Sequence, residues 1–167
     1  NIFKLKNKNK SIGLNAVIHG DGFKSDGSYY YNRIINCPDT EYSKKYLYPF
    51  EDIMVRIIAG NARFEYGEEV DDEAITEIEE FLSICKKRNI EVVAIIPPFA
   101  PLISDKLQST GKYNYIKCIY PKLVDIFKRL NYELYDFSYS KSIGDNSYYI
   151  DGFHGNSQVY SNIVSEI

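Results

Sequence analysis

Residues 71–98, DDEAITEIEEFLSICKKRNIEVVAIIPP, decide the fold. Asp71 has the chemistry of an N-cap, and Val70 and Ile75 are spaced for a hydrophobic staple around it. Ile75, Ile78, Leu82 and Cys85 recur at three- and four-residue steps, while Glu77, Glu79 and Glu80 fall on the opposite face, so the spacing predicts an amphipathic helix. Lys86, Lys87 and Arg88 suit its negative end, and Asn89 can close it. The apolar, β-branched run 90–96 follows and is stopped by Pro97-Pro98. It is too short for a helix and reads as a strand buried on both faces, the kind that lies in a parallel sheet under helices.

Working outward, the same unit recurs downstream. Leu123, Ile126, Phe127 and Leu130 form a second apolar stripe, with Pro121 suited to a first turn, and residues 132–137 read as a second strand. Alternating helix and strand imply a doubly wound α/β sheet with right-handed crossovers. A final helix over 157–167 carries Val159, Ile163 and Ile167 on one face, with Asn156 or Ser157 as its cap. Upstream, Tyr46, Phe50, Ile53, Met54, Ile57 and Ile58 fit one helix over about 41–59, ended by Gly60-Asn61. Residues 15–18 could form a short strand, and the glycines at 20, 22 and 27 with interleaved aspartates look like a loop. Only two strands are secure where an open α/β sheet usually has roughly four to six, so residues 1–167 read as a single domain that is the later part of a sheet whose first strands lie elsewhere.

Composition bounds the function. The chain has 167 residues, 20 Lys plus Arg against 23 Asp plus Glu, and a net charge of −3, a balance that argues against a nucleic-acid surface. Lys4 to Lys10 is the one basic run and reads as a solvated terminus. No apolar stretch approaches the roughly 20 residues of a membrane helix, no secretory-signal pattern opens the sequence, and the compartment stays open. Cys37, Cys85 and Cys118 lack paired spacing and read as free thiols, buried or half-buried. Acidic residues 68, 69 and 71–73 gather where a helix dipole favours them, and His19 has no ligand partner near it, so neither is read as a metal site and no cofactor is expected. Sixteen tyrosines and no tryptophan suit a carbohydrate-facing surface, or reflect the habit of a genome.

In an open α/β sheet the ligand crevice lies beyond the carboxyl ends of the strands. Residues 97–105 and 138–155 occupy that edge, and the second contains Asp151-Gly152-Phe153-His154 just before the last helix. A carboxylate three residues before an imidazole can fix its tautomer and leave the other ring nitrogen facing outward as a base. The same spacing also describes a solvated capping turn.

Asp151-Gly152-Phe153-His154 before a terminal helix resembles the last block of the SGNH/GDSL hydrolases, and the strand ending Ile95-Ile96-Pro97-Pro98-Phe99-Ala100-Pro101 is similar to that family's penultimate strand. The resemblance covers about residues 71–167. It implies a three-layer α/β/α sandwich with a parallel, flavodoxin-like sheet, here without its N-terminal strands. It also implies esterase or acyltransferase activity on a small ester such as an O-acetylated carbohydrate, without metal or organic cofactor. His154 would be the general base and Asp151 its orienter. Asn61, after Gly60, stands about where the family's oxyanion asparagine falls, although Ala62 or Arg63 replaces the aspartate of that block and a helix cap accounts for Asn61 as well. Pro98 and Phe99 at one strand end, and Asp136 at the other, are candidates to shape the substrate loop; Asp136 could equally cap the turn that follows it.

The family's Gly-Asp-Ser block is absent. Gly20-Asp21-Gly22 carries glycine in the serine position and reads as an accidental match, and Ser28 lacks a strand and sharp turn to present it. The nucleophile is therefore expected upstream of Asn1 in a longer natural protein. The alternative is a non-catalytic α/β module that binds a glycan or a protein through its tyrosine-rich loops. An incomplete sheet also leaves a strand edge open, so self-association is expected.

Overall fold

The structure, a computed structural model, describes residues 13–25 and 27–167, and the basic run at Lys4 to Lys10 lies outside them. In chain order it contains α1 (Leu14–His19), β1 (Gly22–Phe23), β2 (Tyr29–Tyr30), α2 (Asn32–Asn36), α3 (Glu41–Tyr46), α4 (Glu51–Ala59), α5 (Asp72–Lys87), β3 (Val93–Ile96), α6 (Pro101–Thr110), α7 (Tyr115–Leu130), β4 (Glu133–Asp136), a 3-10 turn (Asn146–Tyr148) and α8 (Ser157–Glu166). It is a mixed α/β chain, mostly helical, in which β3 and β4 form a small parallel sheet in the register Val93–Glu133 to Ile96–Asp136. β1 and β2 make a separate two-residue antiparallel ladder. Among the described residues no helix is long and apolar enough to cross a membrane.

The elements read from 71–98 form as their chemistry dictates. Asp71 Oδ1 accepts from the Glu73 N–H at 2.8 Å and starts α5, and Asn89, at φ 54, turns the chain out of it. Asn156 Oδ1 likewise accepts from Gln158 and Val159 N–H and starts α8. Alternation along the paired strands divides the side chains between two cores. Ala94 and Leu134 pack against Leu82 and Cys85 of α5 and Leu123, Ile126 and Phe127 of α7. Ile95 and Tyr135 pack against a larger cluster built from Ile53 and Ile57 of α4, Ile103 and Leu107 of α6, and Val159 and Ile163 of α8.

Several expectations need correction. The helix over 41–59 is two helices, because Pro49 has no N–H to donate and its ring excludes a continuous α-helix. Phe50 follows at φ 61, wholly buried, and α4 starts afresh behind it. Residues 15–18 lie in α1, not in a strand. α7 starts at Tyr115, so Pro121 stands inside it, where Ile116 and Ile119 already extend the apolar stripe. The strand after α5 is shorter than 90–96 and is not buried on both faces: Val93 is 59% exposed, since β4 is β3's one partner among the described residues. Of the three free thiols only Cys85 is buried; Cys37 is exposed.

Candidate active site

The loop between β4 and α8 builds the site. Asp151 is buried, and its Oδ1 accepts from the backbone N–H of His154 at 2.8 Å and of Phe153 at 3.3 Å. Its other oxygen, Oδ2, lies 2.7 Å from His154 Nδ1. A carboxylate there accepts, so Nδ1 carries the proton, and in the neutral ring Nε2 presents its lone pair. Nε2 has no hydrogen-bond partner among the described residues, and the His154 side chain is 46% exposed against 12% for Asp151. An oriented imidazole with one face to solvent is the arrangement a general base needs.

The loop is fixed from several sides. The Ile150 N–H donates to the His154 carbonyl at 2.9 Å, closing the turn on itself. The Ala100 N–H donates to the Gly152 carbonyl at 2.8 Å, and Leu102 N–H, in the uncapped first turn of α6, donates to Asn146 Oδ1 at 2.9 Å. The loop thus caps α6 while α6 holds the loop. Gly152 has φ 87, and a Cβ there would come 2.7 Å from Ile103 Cγ1, so both conformation and space require glycine.

Phe153 packs beside the imidazole, with ring centroids 4.2 Å apart, and reaches Phe64 at 6.4 Å. From the N-terminal part of the chain, Tyr31 approaches His154 with 6.2 Å between centroids. Burial, and then the Asp151 carboxylate, push the Tyr31 hydroxyl above the ordinary tyrosine range, so it stays protonated beside the pair.

Between Phe64, Phe99, Leu107, Tyr115, Ile116 and Phe153 lies a cavity of about 160 Å³, and Arg56 and Arg63 complete its lining. Phe99, expected in the substrate loop, is in this wall, and Pro98 before it is buried. Asn61 is exposed just past the left-handed Gly60; its backbone N–H donates to the Arg56 carbonyl at 3.3 Å, a helix-ending bond, and its side chain makes no hydrogen bond among the described residues. It is nevertheless in the short segment that carries Arg63 and Phe64 to the cavity. Asp136 is taken up locally: its Oδ1 accepts from the Ser138 N–H at 2.9 Å and Oγ at 2.7 Å, capping the turn. Asp21 is buried and engaged by Arg33, whose backbone N–H donates to Oδ1 at 2.9 Å and whose Nε donates to Oδ2 at 2.5 Å. Gly20-Asp21-Gly22 follows a helix rather than a strand, and Ser28 belongs to the β1–β2 hairpin, its carbonyl accepting from Lys24 N–H at 2.7 Å.

Tyr31, Phe64 and Arg63 were not singled out as site residues by spacing. No local pattern marks them, because Tyr31 precedes α2 while Arg63 and Phe64 come from the loop after α4, both far in sequence from the Asp151–His154 turn. Comparison with protein families, with curated proteins and with solved structures gives no match.

Proposed function

We propose that this chain is the acid–base portion of an SGNH-like serine esterase or acyltransferase acting on a small ester, with O-acetyl groups of a carbohydrate as one such substrate. One observation carries the reading: the 2.7 Å Asp151–His154 contact that leaves Nε2 outward at the mouth of the loop. In this reading Nε2 takes the proton of a serine hydroxyl as its oxygen attacks the ester carbonyl. The tetrahedral intermediate collapses to an acyl-serine, and His154 returns the proton to the departing alcohol. Water or a sugar hydroxyl then takes the acyl group by the reverse route.

The same reading makes the sheet part of a three-layer α/β/α sandwich. Helices against both faces of β3–β4 support it, as does Val93, about three-fifths exposed on a strand with one partner among the described residues.

The test is labelling of the full-length natural protein with a fluorophosphonate and mapping of the modified peptide. The expected result is one labelled serine, with labelling lost in His154→Ala while the thermal midpoint stays within a few degrees. No labelling of the folded, complete protein would replace this reading with a glycan- or protein-binding module.

A further inference from the structure

The cavity lined by Phe153, the neighbour of His154, combines two features. Its wall is apolar and mostly aromatic, and its volume of about 160 Å³ is comparable to a cavity that holds one benzene ring. Its lining also includes two arginines. Arg56 is already neutralised by Asp52, its ion-pair partner one helical turn away. Arg63 has no acidic partner for its guanidinium among the described residues; its hydrogen bond to a carboxylate is made by its backbone N–H, which donates to Glu65 Oε1 at 3.2 Å. An arginine whose guanidinium has no acidic partner among the described residues therefore lines a ring-sized, mostly apolar cavity.

The backbone that places it is held deliberately. Ala62 and Arg63 both lie in the left-handed region, at φ 51 and φ 79, which side-chain-bearing residues rarely adopt in succession. Such a conformation persists only where the surroundings over-determine it. Here Tyr113 does so from below. Its buried hydroxyl lies 2.7 Å from the Ile57 carbonyl and 2.8 Å from the Phe64 carbonyl, and it donates its one proton to either, tying both ends of the segment together. Phe64, the residue after Arg63, is buried in the cavity wall and meets Phe153, whose ring contacts His154. The cavity is thus separated from the imidazole by a single side chain.

We propose that this cavity is a subsite for a carboxylate-bearing apolar group of ring size, with Arg63 pairing the carboxylate. The proposal rests on the esterase reading for its role and narrows the substrate to an ester whose non-reacting end carries one negative charge. The planar fork of a guanidinium matches a carboxylate at two points, while the aromatic wall excludes water from the ring. A neutral ligand of the same shape keeps the wall contacts and loses the pairing.

The experiment is an NMR titration of the chain with benzoate and, separately, with neutral benzamide. Benzoate is expected to bind saturably, shifting the Arg63, Phe64 and Phe153 amides, and more tightly than benzamide. Arg63→Gln, at an exposed position, is expected to weaken benzoate about tenfold and to leave benzamide unchanged. Arg63→Lys keeps the charge without the fork and should fall between. Equal binding of the two probes, benzoate affinity unaffected by Arg63→Gln, or no saturable benzoate binding would each overturn the subsite. His154→Ala should leave benzoate binding intact. Failure of fluorophosphonate labelling with this titration unchanged removes the esterase reading alone, and the converse result removes the subsite alone.

Discussion

Asp151 holds His154 with both oxygens of one carboxylate: Oδ2 meets the ring at Nδ1, 2.7 Å away, and Oδ1 takes the same residue's backbone N–H at 2.8 Å. Orientation of the imidazole and closure of the turn are therefore one interaction, and they separate under substitution. Asp151→Asn retains an oxygen for the backbone N–H groups but presents the wrong partner or tautomer to Nδ1. On the proposed esterase reading, ester turnover should fall by several orders of magnitude with a thermal midpoint close to wild type. Asp151→Ala removes the acceptor of two backbone N–H groups and should also cost about 1–3 kcal/mol in urea unfolding. Equal midpoints for the two variants would contradict this division.

Gly152→Ala tests how firmly the loop is set. The new Cβ would sit 2.7 Å from Ile103 Cγ1 and 3.3 Å from Phe50, at φ 87. Overpacking and backbone strain together predict a loss of about 2–4 kcal/mol, read from the denaturant midpoint at constant slope.

Tyr113→Phe removes the proton that the Ile57 and Phe64 carbonyls share and should destabilise the chain by about 1–3 kcal/mol, with the largest amide shifts at residues 60–66. Tyr149→Phe should do the opposite or nothing. The Tyr149 hydroxyl is buried without a hydrogen-bond partner among the described residues, so its removal relieves a desolvated group, and the thermal midpoint should hold or rise.

Both tyrosines also predict the alkaline limit. Burial, followed by neighbouring tyrosines, pushes each hydroxyl up to about 12 from an ordinary value of 10.0. Between these values the unfolded chain has lost protons that the folded chain keeps, so unfolding is progressively favoured. Their contribution to stability is complete below pH 10 and lost as the pH rises to about 12, which equilibrium unfolding across that window measures.

The exposed edge of β3 predicts association. Sedimentation of the 167-residue chain should be concentration-dependent, and Val93→Lys should shift it towards monomer. A wild-type chain that remains monomeric at high concentration would count against the larger sheet.

The parts that were legible in the sequence are those where a local rule and the tertiary structure agree. α5, β3, β4 and α8 each have an apolar period of the right kind, and α5 and α8 have caps, Asp71 and Asn156, that hold in the structure. Pro49 was legible too, but the apolar spacing from Tyr46 to Ile58 runs straight through it, and the break outweighs the period. Pro101 begins α6 at its first position, so a segment that reads as strand exit is a helix. Asp151 and His154 could be paired because three residues separate them in one turn. The cavity could not, since residues 56, 63, 64, 99, 107, 115, 116 and 153 meet only through the packing of three helices and three loops. Asp136 shows the converse: its place at a strand end suggests a role in the site, and Ser138 claims it for a turn.

The two cores on opposite faces of β3–β4 give the molecule a division of labour in its tolerance of change. Ile95 and Tyr135 are packed with the elements that hold the Asp151–His154 loop, whereas Ala94 and Leu134 belong to the α5–α7 side. Substitutions among Leu82, Leu123 and Phe127 tax the stability of the whole without passing through any residue that touches His154. Substitutions in the α5–α7 core are accordingly expected to be read in stability and to leave the geometry of the Asp151–His154 turn in place.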